Sequence, residues 1–408
     1  MLSEAVAQTG TLNEPRGSLA GERAAQELAR SLTNEDYNIR LGDIRFQAQA
    51  RLGAAYTDNV FLSGINKKDD YIINPEVDLA ALLPIGQFNS LKLSLGLSYE
   101  WFAKNHSLNS DVPLVNPDSE LAFYLFVKDF RIKLHDKFSY QQTLDINQEE
   151  SDQVHLFNFN DVGRFDRLDN FVGPTIDWDL NKVILTLSYD HENFVSTTER
   201  FKYLDRASEW LALTANYLLG DRTKAGLEGQ GSYHNYDQET IMNDNWRGRG
   251  GPFMEVKLPK GLVARAGGGY EMARFDSAGS ESDYDHWYAY GKLSQQTRLF
   301  THSLGAGHET VLGDNANNLR NTYVRYAITT DAIRNTDIEG NLSANFSREF
   351  GGGFEEKFIY YMAGCRIGYQ FHKYWRADIG YEFLYKDSEF SDRIFHRNRI
   401  SLDVTFKY

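Results

Sequence analysis

The sequence holds a single cysteine, Cys365, so neither a disulfide framework nor a cysteine metal cluster can be built from it. It has no run of about 18 consecutive apolar residues, and a transmembrane helix is excluded on that ground. The low mean hydropathy of -0.51 agrees with this. An excess of basic charge is also missing. Lys and Arg number 43 against 57 Asp and Glu, a net charge of -14, and a general nucleic-acid binder needs the opposite sign to displace counterions. Acidic loops facing water would give the same balance. Strand-nested G-x-S-x-G, P-loop and H-E-x-x-H patterns do not occur, so no enzyme activity and no cofactor are expected. At the N-terminus no basic region precedes an apolar stretch, so no intact signal peptide is present. Ala5 and Ala7 in "EAVAQ" fit the small-residue remnant of a cleavage site.

What the chain does have is 24 Tyr, 26 Phe and 33 Gly with only 8 Pro, a composition that suits strands. A transmembrane barrel stays open, because its strands show lipid only every second residue. Residues 1–40 stand apart. "SLAGERAAQELARSLTNED" puts Ala24, Leu28 and Leu32 on one helical stripe, which reads either as a short helix in a terminal tail or as plain disorder. From residue 41 to 408 the period is two. Ile44, Phe46, Ala48, Ala50, Leu52, Ala54 and Tyr56 alternate with polar residues, as do Leu91, Leu93, Leu95 and Leu97. The closing "RISLDVTFKY" does the same with Ile400, Leu402, Val404, Phe406 and Tyr408.

Connections between these runs alternate in length. Tight turns fall near residues 84–87, 128–129, 180–182, 220–222, 259–261, 296–298, 334–336 and 372–373. Longer polar loops lie between them, among them 57–70, 104–117, 143–164 and 275–283. This regularity predicts an all-β, up-and-down antiparallel transmembrane barrel of about eighteen strands, with short turns on one side and long loops on the other. An even strand number puts both chain ends on the periplasmic side. The strand near 392–408 should pair with the one near 43–57 and leave no edge.

A last strand of alternating apolar residues ending on an aromatic resembles the C-terminal signature of bacterial outer-membrane β-barrel proteins. The resemblance implies that the barrel-assembly machinery reads Ile400, Leu402, Val404, Phe406 and Tyr408, and that outer-membrane lipid and lipopolysaccharide surround the wall. The opening "YNIRLGDIRFQAQARLGAAYTDNVFLSG" is similar to the first strand and loop of the putative β-barrel porin 2 group, chiefly through Thr57, Asp58, Asn59 and Val60. Some members of that group are associated with exopolysaccharide systems. The resemblance assigns no functional residue.

Candidate sites therefore rest on parity. It aims Arg45, Arg51, Lys92, Arg265, Arg325, Arg366 and Arg376 at the lumen, together with Glu100, Glu228, Glu271, Asp378, Glu382 and Asp403. These charges either pair across neighbouring strands or line a pore that selects solutes. Asp136 falls on the lipid-facing parity, which calls for a bulge or a slip of register. His302 and His308 read as interface histidines, since a metal site would need further converging donors. Two acidic loop stretches, "NQEESDQ" and "GSESDYD", read as solvated loops rather than divalent-cation sites. "RGRGG" at 247–251 opens a predicted strand and is no nucleic-acid segment. The function expected is passive diffusion of small hydrophilic solutes. An exopolysaccharide export pore and a structural or adhesive barrel with a closed lumen are the alternatives.

Overall fold

The computed structural model describes residues 37–142, 147–150, 153–276 and 282–408. The proposed helical stripe Ala24, Leu28 and Leu32 lies outside the described residues, as do parts of both acidic loop stretches. Eighteen strands form the wall. They are β1 (Ile44–Thr57), β2 (Asp70–Ile85), β3 (Asn89–Ser98), β4 (Glu120–Val127), β5 (Phe130–Gln141) and β6 (Arg167–Asp179). Next come β7 (Val183–Ser196), β8 (Arg206–Leu218), β9 (Thr223–Tyr236), β10 (Asn245–Leu258), β11 (Leu262–Phe275) and β12 (Tyr284–Gln296). The circuit ends with β13 (Phe300–Leu312), β14 (Asn318–Ile333), β15 (Thr336–Phe350), β16 (Glu356–His372), β17 (Trp375–Ser388) and β18 (Phe395–Lys407). Each pairs antiparallel with its sequence neighbours. The ring closes where β1 meets β18, from Gln49↔Lys407 to Thr57↔Arg399. Below that seam Ile39–Leu41 folds back on β1, pairing Ile39 with Phe46, and covers the edge that β18 leaves free.

The short turns gather at one end of the barrel, the turn end, and the long loops at the other, the loop end. Gly86, Asn181 and Asn335 adopt positive φ of 68°, 70° and 58° in the short turns, where a tight reversal asks for Gly or Asn. Lys128 and Lys260 do so as well, at 55° and 64°, Lys260 between Pro259 and a Gly261 whose φ is 70°.

The outer face is apolar. Leu52, Leu93, Leu213, Leu227, Leu342 and Ile379 are all exposed. Phe130, Trp178, Tyr217, Phe371 and Trp375 ring the turn end, and Tyr71, Trp101, Tyr189, Trp246, Tyr270 and Trp287 ring the loop end. An apolar band between two aromatic girdles is what a bilayer demands of a barrel. Asp136 corrects the expectation of a bulge or slip. The β5–β6 ladder runs unbroken from Gln141↔Arg167 to Phe130↔Trp178. Asp136 sits on the outer face and accepts a hydrogen bond from Asn170 Nδ2 at 2.6 Å, so one polar pair shares its exposure.

Facing can be tested directly. Leu93 is 43% exposed on the outer face, whereas Ser94 turns inward opposite Glu120. Leu93→Arg should cost about 2–4 kcal/mol in a bilayer and damage assembly. Ser94→Arg should fold, since it meets a carboxylate. Heat-modifiable migration on gels reads both, and the reverse result would invert the facing.

Candidate functional site: the inner wall and the loop-end mouth

The inner wall is a lattice of opposite charges. Arg51 on β1 donates to Asp403 on β18 at 2.8 Å and also pairs with Glu76 on β2, so one guanidinium spans the closing seam. On the neighbouring wall Arg376 forms a two-pronged contact with Asp337, both bonds at 2.6 Å, and donates to Asp378 at 2.6 Å. Arg366 holds Glu339 at 2.7 Å and Asp378 at 3.3 Å. Arg376 reaches past β16 to β15, and Gly368 makes room for it. A Cβ there would lie 1.8 Å from Arg376 Nη2. Gly368→Ala should therefore break the Arg376–Asp337 contact, which a structure of the variant would show.

Opposite these, Arg265 lies 3.3 Å from Glu228, whose carboxylate also accepts the Tyr290 hydroxyl at 2.8 Å. Arg249, from "RGRGG", pairs with Glu309 at 3.0 Å. Lys133 pairs with Glu120 at 2.6 Å, and Glu382 pairs with Arg397. Arg325 stacks on Tyr323 with its guanidinium 4.5 Å from the ring centre. Arg45 and Lys92 occupy inward positions of β1 and β3, toward the turn end. Glu100 lies just past β3, buried beside Ser110, and Glu271 accepts the backbone N–H of Thr310 at 3.2 Å. Of the parity residues, then, Arg51 and Asp403 are brought together, as are Arg265 and Glu228, and Arg366, Arg376 and Asp378. Glu271 serves the loop end through the Thr310 N–H, and Glu100 lies buried just past β3, its backbone N–H donating to Ser110 Oγ.

The mouth at the loop end was not foreseen from the sequence. Phe157, Phe159, Val162 and Phe165, from the connection between β5 and β6, turn inward. They meet Phe194 of β7, Tyr236 of β9, Leu319 of β14, Tyr360 of β16, Leu384 of β17 and Phe395 of β18. An apolar cluster thus bridges the mouth from one wall to the other. Asn158 keys it in place. Its backbone N–H donates to Asp314 at 2.7 Å, and its side-chain amide donates to Glu349 at 2.5 Å and Glu356 at 2.7 Å. Its side-chain oxygen accepts from Lys386 at 2.5 Å, and its carbonyl accepts from Arg393 and Asn315, each at 2.8 Å. Burial against this cluster pushes the Tyr203 hydroxyl pKa well above its usual value, as expected where water is excluded.

The β13–β14 tip also folds inward. The β12–β13 ladder stops at Ala289↔His308, although both strands continue toward the loop end. Above that point Thr310 is held by Glu271 instead, while Arg247 on β10 donates to Asn317 O and Asn318 Oδ1, each at 2.8 Å. Loop and hairpin tip together narrow the mouth.

No family model matches the chain, and no curated protein matches its sequence. Its fold is similar to that of the outer membrane protein OpdK from Pseudomonas aeruginosa, at 13% identity and TM-score 0.50 over 89% of this chain and 99% of that one. OccK2 (OpdF) from Pseudomonas aeruginosa, solved in complex with glucuronate, aligns at 12% identity and TM-score 0.51 over 90% and 99%. A BenF-like porin from Pseudomonas fluorescens Pf-5 aligns at 11% identity and TM-score 0.52 over 90% and 100%. The chain has the porin-like fold of outer-membrane β-barrels. Within this porin-like barrel, the residues that suggested the porin 2 group act as a staple. Asp58 accepts from the Asn398 backbone at 2.7 Å, and the buried Asn59 donates to His396 O at 2.9 Å, fastening the first loop to β18.

Proposed function

We propose that this barrel is a passive channel for small hydrophilic solutes in a bacterial outer membrane, with both chain ends periplasmic and no catalytic step. The observation that carries the reading is the inner wall, where charges of both signs line an eighteen-strand ring behind an apolar exterior. Such a ring has room for an aqueous passage unless it is plugged. OpdK has been solved with vanillate and OccK2 with glucuronate, and small polar molecules of that kind are the solutes we assign to this channel. Because the lumenal arginines hold carboxylates, selection between anions and cations should be weak. Lipid, lipopolysaccharide and, through the last strand, the barrel-assembly machinery are the partners this role requires.

A structural barrel with a closed lumen is the second reading, favoured by the apolar cluster across the mouth. That cluster counts against a polysaccharide export pore, in which a sugar chain would have to thread the axis. Single-channel recording in a planar bilayer separates them. The channel reading predicts steady conductance with a reversal potential near zero in a salt gradient. Absence of any conductance from folded, inserted protein would leave the closed barrel.

A further inference from the structure

The ladders put three cations in one row on the outside of the wall. Arg320 on β14 pairs directly with Arg348 on β15, and Arg348 pairs directly with Lys357 on β16. Arg348 and Lys357 are exposed on the outer face, flanked by the buried Ser347, Glu349, Glu356 and Phe358. Arg320 shares their parity between the buried Leu319 and Asn321 but is half-buried, beside Thr310 where the hairpin tip turns inward. Like charges directly opposite each other destabilise a sheet unless an anion lies between them. Within the chain the compensation is partial. Arg348 meets Glu355 at 2.9 Å, both half-exposed, and Glu389 accepts the backbone N–H of Lys357 at 2.8 Å. Arg320 has no carboxylate partner among the described residues, and its Nε is buried without a hydrogen-bond acceptor.

The guanidiniums of Arg320 and Arg348 both lie over the Phe350 ring, 5.1 and 5.9 Å from its centre, so one aromatic ring holds them close together. His308 stands beside Arg320 on the same outer face, stacked on Trp287 at 4.4 Å. The height of the row matters as much as its charge. Arg348 comes two residues after the exposed Phe346, and Lys357 two residues before Ile359 and four before the exposed Tyr361. Two residues of strand rise about 7 Å. The cations therefore sit one step beyond the apolar band, where lipid headgroups lie. In a protein of net charge -14 this is a local reversal of sign.

We propose that Arg320, Arg348 and Lys357 form a binding site for the phosphate groups of a lipid in the outer leaflet, with a diphosphorylated glycolipid such as lipid A as the occupant. Guanidiniums suit phosphate oxygens, which they can grip with two parallel bonds, and Lys357 adds a point charge. The inference rests on the outer-membrane reading, since the occupant belongs to that leaflet.

The test uses the folded full-length chain in detergent, with bound lipid read by native mass spectrometry. Diphosphoryl lipid A should stay bound through detergent exchange. The R320Q/R348Q/K357Q protein should retain several-fold less, whereas R320K/R348K should retain most of it. Lipid A stripped of phosphate should be lost from all forms, and inorganic phosphate should compete only weakly. Heat-modifiable migration certifies that each variant is folded, and Arg348→Gln alone serves if the triple variant is not. Equal retention by wild type and the glutamine variants overturns the site. Retention independent of lipid phosphate, or displacement by inorganic phosphate at concentrations comparable to the lipid, overturns the assignment to a phosphorylated glycolipid. Should the protein fail to fractionate with outer membranes, the membrane reading falls, and that is measured separately from lipid retention.

Discussion

A chain without Val404–Tyr408 should not insert. Those residues pair with β1 from Leu52↔Val404 to Gln49↔Lys407 and with β17 from Ala377↔Val404 to Trp375↔Phe406, and the Tyr408 N–H donates to Ala48 O at 3.2 Å. Their removal strips one seam on both sides. Each backbone group left unpaired in hydrocarbon costs several kcal/mol. A handful of such groups exceeds the whole stability of a typical fold, about 5–15 kcal/mol. No rearrangement of the remaining strands restores the pairs, because a barrel has no spare edge to lend. Outer-membrane fractionation and heat-modifiable migration should show no folded band. Tyr408→Phe should by contrast behave almost normally. The Tyr408 ring stacks on Tyr374 at 6.0 Å between centres, and its carbonyl accepts from Asn38, neither of which uses the hydroxyl. A folded, inserted truncation would show that the β1–β18 seam does not hold the ring.

The strands were legible because a wall between lipid and water writes both environments into alternate residues, as in Leu91, Leu93, Leu95 and Leu97 against Lys92, Ser94 and Gly96. The turns were legible because left-handed backbone at Gly86, Asn181 and Asn335 recruits particular residues. Parity says which way a side chain points, but not how far around the ring it reaches. Nothing in the spacing of Arg376 and Asp337 announces a contact across an intervening strand, which depends on the missing Cβ of Gly368. The mouth was hidden for a different reason. The connection at 143–164 reads as a long polar loop, and length alone does not tell whether a loop stands in water or turns inward. A signal was present, since "HLFNFNDVGRF" carries three phenylalanines that exposed loops rarely hold together. Asp136 shows the converse limit. A polar residue on the lipid-facing parity calls for a bulge or a slip of register, yet the ladder runs on intact and Asp136 accepts a hydrogen bond from Asn170 on the outer face.

Opening the mouth should change transport more than any substitution in the lumen. In a Phe157→Ser, Asn158→Ala, Phe159→Ser protein, the inward segment loses two buried rings, worth about 1.5–3 kcal/mol each. It also loses the side-chain bonds of Asn158 to Glu349, Glu356 and Lys386, at about 1.5–3 kcal/mol for each hydrogen bond to a charged group. The wall should stay folded. Lys386 still pairs with Glu356 at 2.8 Å, Arg393 with Glu356 at 3.0 Å, and every strand ladder is untouched. The segment's hold on the mouth therefore weakens while the ring persists, and single-channel conductance should rise several-fold with more frequent transitions between levels. The charged lattice of the lumen is left as it was, so ion selectivity should change little, which distinguishes a released mouth from a damaged barrel. Unchanged conductance in the folded triple variant would mean that current does not pass through the mouth these residues occupy.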